Sequence, residues 1–267
     1  MVFVREEKYE CGSYREVDLV CRIVPRRFGE PNRRQRLVCP SKRTLNEQRS
    51  LRYFQLTARG NFRAGDLHVS LTYFPGREPD VKTGDRQVHN FLLALRRRCR
   101  KRGLPEIKWL LVRCCTEKEG RPTRIHHHLL LSCGLDSREI EGCWKYGCTS
   151  SKVITDDWKG DGVAKVARYL SHQTAGRKSW TGSRNLRKPD RLPNNDHRLS
   201  PRKLDTLATQ EWREQEIWGS ELARLATLEE WQRMYPGWRI VGYRTEFREW
   251  AAVHLKLLRD DRPGGGV

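Results

Sequence analysis

A chain of 267 residues has room for one large domain, or for one domain with appendages, and an apolar content of 37% suffices for a core. The formal charge of +20, from 53 Lys+Arg against 33 Asp+Glu, puts a polyanion, and nucleic acid above all, ahead of any neutral partner. Apolar runs of bilayer length and a secretory leader are both missing, so a cytoplasmic protein with no membrane association is expected.

The predicted elements follow in chain order. Residues 1–44 read as a basic N-terminal segment, with one strand over 17–24 and then cations clustered at Arg26, Arg27, Arg33, Arg34 and Arg36. Such a segment suits phosphate contacts, which need no fixed structure, and equally suits a solvated arm. Residues 41–60 are expected to be helical, with Leu45, Leu51, Phe54 and Leu56 available to pack. A strand over 66–73 turns Leu67, Val69 and Leu71 to one side.

An amphipathic helix over 85–98 follows, with Asp85 as its N-cap and Val88, Phe91, Leu92 and Leu95 as its stripe. It runs into Arg96, Arg97, Arg98, Arg100, Lys101 and Arg102. Cations complement a helix C-terminus, but six in seven positions exceed that need and read as a DNA surface. Next come an apolar strand over 108–117, turn chemistry at Gly120 and Pro122, and a second strand from Arg124.

That second strand carries His126, His127 and His128 in succession. Side chains of an extended chain alternate between faces, so His126 and His128 share one face with Arg124 and Leu130, and His127 shares the other with Ile125 and Leu129. Two imidazoles on one face of a rigid strand can chelate one divalent ion. Pairing of 108–117 with the histidine strand as an antiparallel hairpin brings Glu117 near them, giving a mixed nitrogen and oxygen site suited to Mg²⁺ or Mn²⁺. Glu119, two residues on, is the competing carboxylate if the strand continues.

A helix over 162–173 buries Val163, Val166, Ala167 and Leu170 at helical spacing. Tyr169 falls off that stripe, with Lys165 and His172 on its side. A phenol near pKa ~10 needs a metal-polarised electrophile to act as a nucleophile at neutral pH. Residues 176–202 are basic and poor in apolar side chains, and Trp180 among Arg177, Lys178, Arg184, Arg187 and Lys188 suits base stacking with phosphate pairing. The alternative for that stretch is a linker.

Residues 203–234 are expected to be helical, with Thr227 and Glu230 as a capping box. A strand over 239–243, a mostly helical segment over 246–258 and a glycine-rich tail complete the chain. The division expected is a basic segment over 1–44, a catalytic domain over 45–202 and a mostly helical C-terminal segment over 203–267. The fold class expected is α+β, a central antiparallel sheet with helices on one face. Nine cysteines are an odd number and none has zinc-knuckle spacing, so Cys114, Cys115 and Cys133 read as small hydrophobes; Cys143 and Cys148 offer a four-residue gap, thin grounds for zinc.

The ordered set resembles rolling-circle replication initiators of the HUH endonuclease superfamily, of the plasmid, phage or integrative-element type. The residues that carry the resemblance are Asn61-Phe62, Gly65-Asp66-Leu67-His68, Leu71-Thr72-Tyr73, the three histidines, the Tyr169 helix, and Ser183-Arg184-Asn185-Leu186 with Pro189. His127 stands where relatives carry an aliphatic residue, His172 stands where a lysine is common, and Tyr169 has no second tyrosine spaced with it. The resemblance implies a sheet-centred nicking enzyme. In it a metal at His126, His128 and Glu117 polarises the scissile phosphate, and Tyr169 forms a 5′-phosphotyrosine, helped by Lys165 or His172. Arg124, Arg168 and the basic residues named above would bind single-stranded or hairpin origin DNA. A host helicase and polymerase would act in trans, since the chain has no P-loop motif of its own. Tyr73 is the competing nucleophile. The alternatives are a relaxase or transposase of the same superfamily, and a non-catalytic nucleic-acid-binding protein on the same fold.

Overall fold

The computed structural model describes residues 2–23, 42–114, 117–118, 121–122, 125–156, 161–172, 180–218, 220–247 and 249–259, with the backbone alone at 42–45, 117–118, 121–122, 172, 210–218 and 220–226. The N-terminal elements are strands β1 (Val2–Cys11) and β2 (Tyr14–Ile23), helix α1 (Lys42–Asn61), β3 (Leu67–Thr72) and α2 (Val81–Lys101). The middle holds β4 (Lys108–Cys114), the two-residue strands β5 (Glu117–Lys118) and β6 (Arg121–Pro122), β7 (His126–Ser132), α3 (Ser137–Glu141), β8 (Thr149–Val153) and α4 (Gly162–His172). Then come β9 (Trp180–Gly182), β10 (Asp190–Asn195), α5 (Pro201–Trp218), α6 (Ser220–Met234), β11 (Trp238–Phe247) and β12 (Ala251–Arg259). The fold is α+β, as the element order predicts. The chain divides into two compact units, residues 1–39 with 189–267, and residues 40–188.

In the unit formed by the two ends of the chain, an antiparallel sheet runs β10-β1-β2-β12-β11. Its covered face carries Val4, Val17, Leu19, Val253, Leu255 and Leu257, packed with Leu204 and Leu207 of α5 and Trp231 of α6. Glu6 is buried on that face and accepts a hydrogen bond from the Tyr235 hydroxyl at 2.8 Å. Two expectations are corrected here. The N-terminal segment holds two paired strands, not one, although its basic clusters at 25–36 lie outside the described residues. The helix expected over 246–258 is strand β12, because Ala251, Val253, Leu255 and Leu257 are buried in strict alternation, the period of a strand and not of a helix. Thr227 is also no cap, since it lies buried inside α6.

In the unit formed by the middle of the chain, the antiparallel sheet runs β8-β3-β7-β4-β9, which puts β7 at its centre. The sheet is covered on both sides, not on one as expected. Val69, Leu71, Leu129 and Leu131 meet Val88, Phe91, Leu92 and Leu95 of α2 on one face. Leu110, Val112 and Leu130 meet Phe54 and Ala58 of α1 and Val163, Ala167 and Leu170 of α4 on the other. A strand buried on both faces reads as a continuous apolar run, which is why Leu129, Leu130 and Leu131 follow one another. Helix α2 starts one turn earlier than expected. Asp80, not Asp85, caps it, accepting from the Thr83 N–H at 3.0 Å, and Asp85 instead pairs with Arg113 at 2.7 Å.

Candidate active site

The register of β7 decides what its histidines face. Across β3, Ser70 stands opposite His128 and Thr72 opposite His126; across β4, Val112 stands opposite His128 and Cys114 opposite His126. One face of the sheet therefore gathers His68, Ser70, Cys114, His126 and His128. One donor atom each from Cys114, His126 and His128 lies within 4.8 Å of the other two. The Ser70 hydroxyl lies 2.9 Å from Nδ1 of His128, and Nε2 of His68 lies 3.3 Å from the same atom. The other ring nitrogen of His128, Nε2, is buried with no hydrogen-bond partner. A buried nitrogen left open while its ring partner is held by a hydroxyl is the usual condition of a metal-binding imidazole. The donor set fits a divalent ion.

Electrostatics agree with that fit. Burial, and then the neighbouring imidazoles of His68, His126 and His127, push the His128 pKa down to about 4. Burial, reinforced by Lys152, lowers that of His68. Both rings are thus neutral near pH 7, the state that can ligate.

Helix α4 lies over this face. Its apolar stripe is buried, whereas Tyr169 is 48% exposed, with its ring centroid 5.6 Å from that of His128 and 6.3 Å from that of His68. Lys165, one turn earlier, and Arg168 are exposed. Two features hold the helix start. Arg59 of α1 pairs with Asp161 in a buried contact, and Gly162 approaches the chain so closely that a Cβ there would sit 2.0 Å from the Thr155 carbonyl oxygen. Only glycine fits at that position.

The opposite face of β7 differs. His127 is fully buried there, with its Nε2 3.1 Å from the hydroxyl of Tyr73, and burial holds its pKa down at about 4. Tyr73 is 5% exposed and packs edge-on against Trp144. Neither residue reaches the side of the sheet that carries His126 and His128.

Other expected site residues are spread more widely. The side chains of Glu117 and His172 lie outside the described residues, as do Glu119, Arg124, Arg177 and Lys178 altogether. The basic run closes α2, the helix on the Tyr73 face, and it is partly engaged: Arg98 donates to the Glu139 carbonyl at 2.6 Å and Arg102 pairs with the Glu139 carboxylate at 2.6 Å. Arg97, Arg100 and Lys101 are exposed, and Arg96 is half-buried. Trp180 stacks on Tyr53 with ring centroids 5.9 Å apart. Arg184, Arg187 and Lys188 are exposed on a loop that is pinned in place: Ser183 exchanges hydrogen bonds with the Trp109 backbone, Asn185 donates to the Ile107 carbonyl, and Asn61 bridges both backbone groups of Arg187.

His68, Ser70 and Cys114 are the site residues that sequence reasoning missed. Alternation carried the signal for the first two, since they occupy the polar side of the strand whose Leu67, Val69 and Leu71 are apolar. Cys114 gave a weaker signal, because a cysteine inside an apolar strand reads as a hydrophobe until the hairpin register is known.

Residues 66–174 match the model of a family described as Replication-associated protein ORF2. The matched span runs from β3 through α4 and so contains the whole of the imidazole face and Tyr169. Comparison with curated proteins and with solved structures returns no match. The similarity supports a replication initiator protein, and with it DNA as the partner. Among the described residues no helix is long and apolar enough to cross a membrane.

Proposed function

We propose that this protein is a metal-dependent endonuclease of the HUH type that nicks one strand at a replication origin and so starts rolling-circle replication. The observation that carries the reading is the exposed phenol of Tyr169 beside the His128 ring, on the sheet face where His126 and His128 converge. A divalent ion bound by those histidines would draw charge from the scissile phosphate and steady the developing oxyanion.

Tyr169 Oη attacks the phosphorus, the bond to the 3′-oxygen breaks, and that oxygen leaves as a 3′-hydroxyl. The product is a 5′-phosphotyrosine and a primer end that a host polymerase can extend, with a host helicase opening the duplex. His172, three residues on, is placed in sequence to accept the phenolic proton. Lys165, on the same side of α4, offers a positive charge to the phenolate or to a neighbouring phosphate. Arg168, Arg184, Arg187 and Lys188 would hold the strand by its phosphates, and Trp180 by stacking.

The test is adduct formation. The protein is incubated with single-stranded oligonucleotides tiled across the DNA flanking its own gene, with Mg²⁺, Mn²⁺, Co²⁺ or Zn²⁺ supplied separately. A covalent protein–DNA adduct mapping to Tyr169 is expected. Binding without any adduct, for every oligonucleotide and ion, would replace this reading with that of a non-catalytic DNA-binding module.

A further inference from the structure

We infer that Cys114 is the third protein ligand of the metal site, so that the site prefers a thiolate-tolerant ion such as Zn²⁺ or Co²⁺ over Mg²⁺. The inference rests on the reading that His126 and His128 hold the metal, and it fixes what that reading leaves open. Three observations carry it. Cys114 is directly opposite His126 in the β4–β7 ladder, so their side chains leave the same face of the sheet. Its sulfur lies within 4.8 Å of a ring nitrogen of each histidine, close enough for one ion to bridge all three with small side-chain adjustments. With Nδ1 of His128 held by Ser70, the buried and unpartnered Nε2 is the atom left to complete the set.

The carboxylate expected from sequence does not appear in this group. Among the described residues, Cys114, His126 and His128 are the group of three metal-binding side chains brought together. Glu117 follows in β5, whose backbone pairs with Pro122 further along the hairpin. A donor set of two imidazoles and one thiolate is soft. It suits Zn²⁺ or Co²⁺ in a tetrahedral site with its fourth position open to substrate, whereas Mg²⁺ demands oxygen donors in an octahedron. Binding releases the thiol proton to solvent, so the ion gains a negatively charged ligand without any change of oxidation state.

Cobalt reports the ligand directly. Titrating the full-length reduced protein with Co²⁺ should give one equivalent of binding, with visible ligand-field bands and a near-ultraviolet thiolate-to-cobalt charge-transfer band. Cys114→Ser should keep the ligand-field bands, lose the charge-transfer band, and weaken Zn²⁺ binding by about 10-fold or more relative to Mn²⁺. Cys114→Asp should reverse the preference towards Mn²⁺. Thermal unfolding of each variant, followed by circular dichroism, confirms that it is folded before the metal is added.

If the wild type binds Co²⁺ with no charge-transfer band, and His128→Ala removes that binding, the histidine site stands and the cysteine assignment falls. If the charge-transfer band survives Cys114→Ser, another of the cysteines is the ligand and the inference is equally overturned. If no Co²⁺ binds to the wild type, both the ligand inference and the metal reading beneath it are lost.

Discussion

His127 and His128 are neighbours in the chain, are both buried, and are both held neutral by burial, with pKa values near 4. Their surroundings separate them. His127 points into a face sealed by Tyr73 and the α2 core, where its ring fills space and meets one hydroxyl. His128 points to a face where the helix above it presents Tyr169 to solvent, and where a serine, a cysteine and two further histidines converge. Perturbed titration therefore does not by itself mark a functional residue, because burial produces the same shift on both faces. What distinguishes them is whether polar partners converge on an opening.

Substitutions can sharpen that contrast. The largest effect is expected for Tyr169→Phe, which should lower adduct formation by at least about three orders of magnitude with DNA affinity unchanged, read by gel assay and by filter binding. An adduct on Tyr73 would contradict the partition of faces, since Tyr73 lies buried beneath Trp144. Next, His126→Ala and His128→Ala should each abolish metal-dependent cleavage while DNA binding persists, because the +20 charge supplies affinity independently. Full nicking by the double variant would remove the metal from the reaction.

A smaller loss is expected when the hydroxyl that orients His128 is removed. Ser70→Ala should weaken metal affinity by about 10–100-fold, measured by isothermal titration, whereas Glu117→Ala should change it little. A larger loss from Glu117→Ala than from Ser70→Ala would restore the carboxylate as a ligand.

On the sealed face the expected effect is on stability. His127→Ala removes the Tyr73 hydrogen bond and leaves a cavity, lowering unfolding free energy by about 1–3 kcal/mol in urea titration while activity per folded molecule is kept. Loss of activity in a fully folded His127 variant would invert the assignment of faces.

The gentlest test is pH. His127 and His128 have folded pKa values of about 4, below the ordinary histidine value of 6.5, so the unfolded chain binds more protons between those limits. Metal-free stability should be full above pH 6.5 and should fall as pH drops from there towards 4. His127→Ala should flatten part of that slope, and an unchanged slope would show that His127 is not held neutral by the fold.

Much of this is legible in the sequence wherever one period dominates. The alternation in 126–131 marks both the strand and the division of its histidines between faces, and the stripe in α4 leaves Tyr169 outside the core. Legibility fails where two periods compete or where pairing partners are distant. Residues 251–258 contain enough Leu, Ala and Lys to read as helix, and only pairing with β2, more than two hundred residues away, makes them a strand. A single strand over 17–24 is read without β1 for a similar reason: the charges of Arg5, Glu7 and Lys8 mask the alternation, and their pairing with partners such as Asp196 and Glu6 becomes visible only in the folded sheet. Cys114 escapes notice because its place beside the histidines depends on hairpin register, which composition does not encode.

The three consecutive histidines also impose an arithmetic on how this chain can change. In a strand, moving by one residue exchanges the two faces, and moving by two restores them. A single-residue insertion or deletion within β7 ahead of His126, if the ladder to β4 and β3 held, would bring His127 beneath Tyr169 and send His126 and His128 into the sealed core. A change of two residues would leave one imidazole in its old place. The strand thus tolerates length variation by parity, and the hairpin tip at 115–124, beyond the β4–β7 ladder, is where odd insertions can be absorbed without exchanging the faces. Paired series of one- and two-residue insertions on either side of His126 would display that parity as alternation between inactive and active protein.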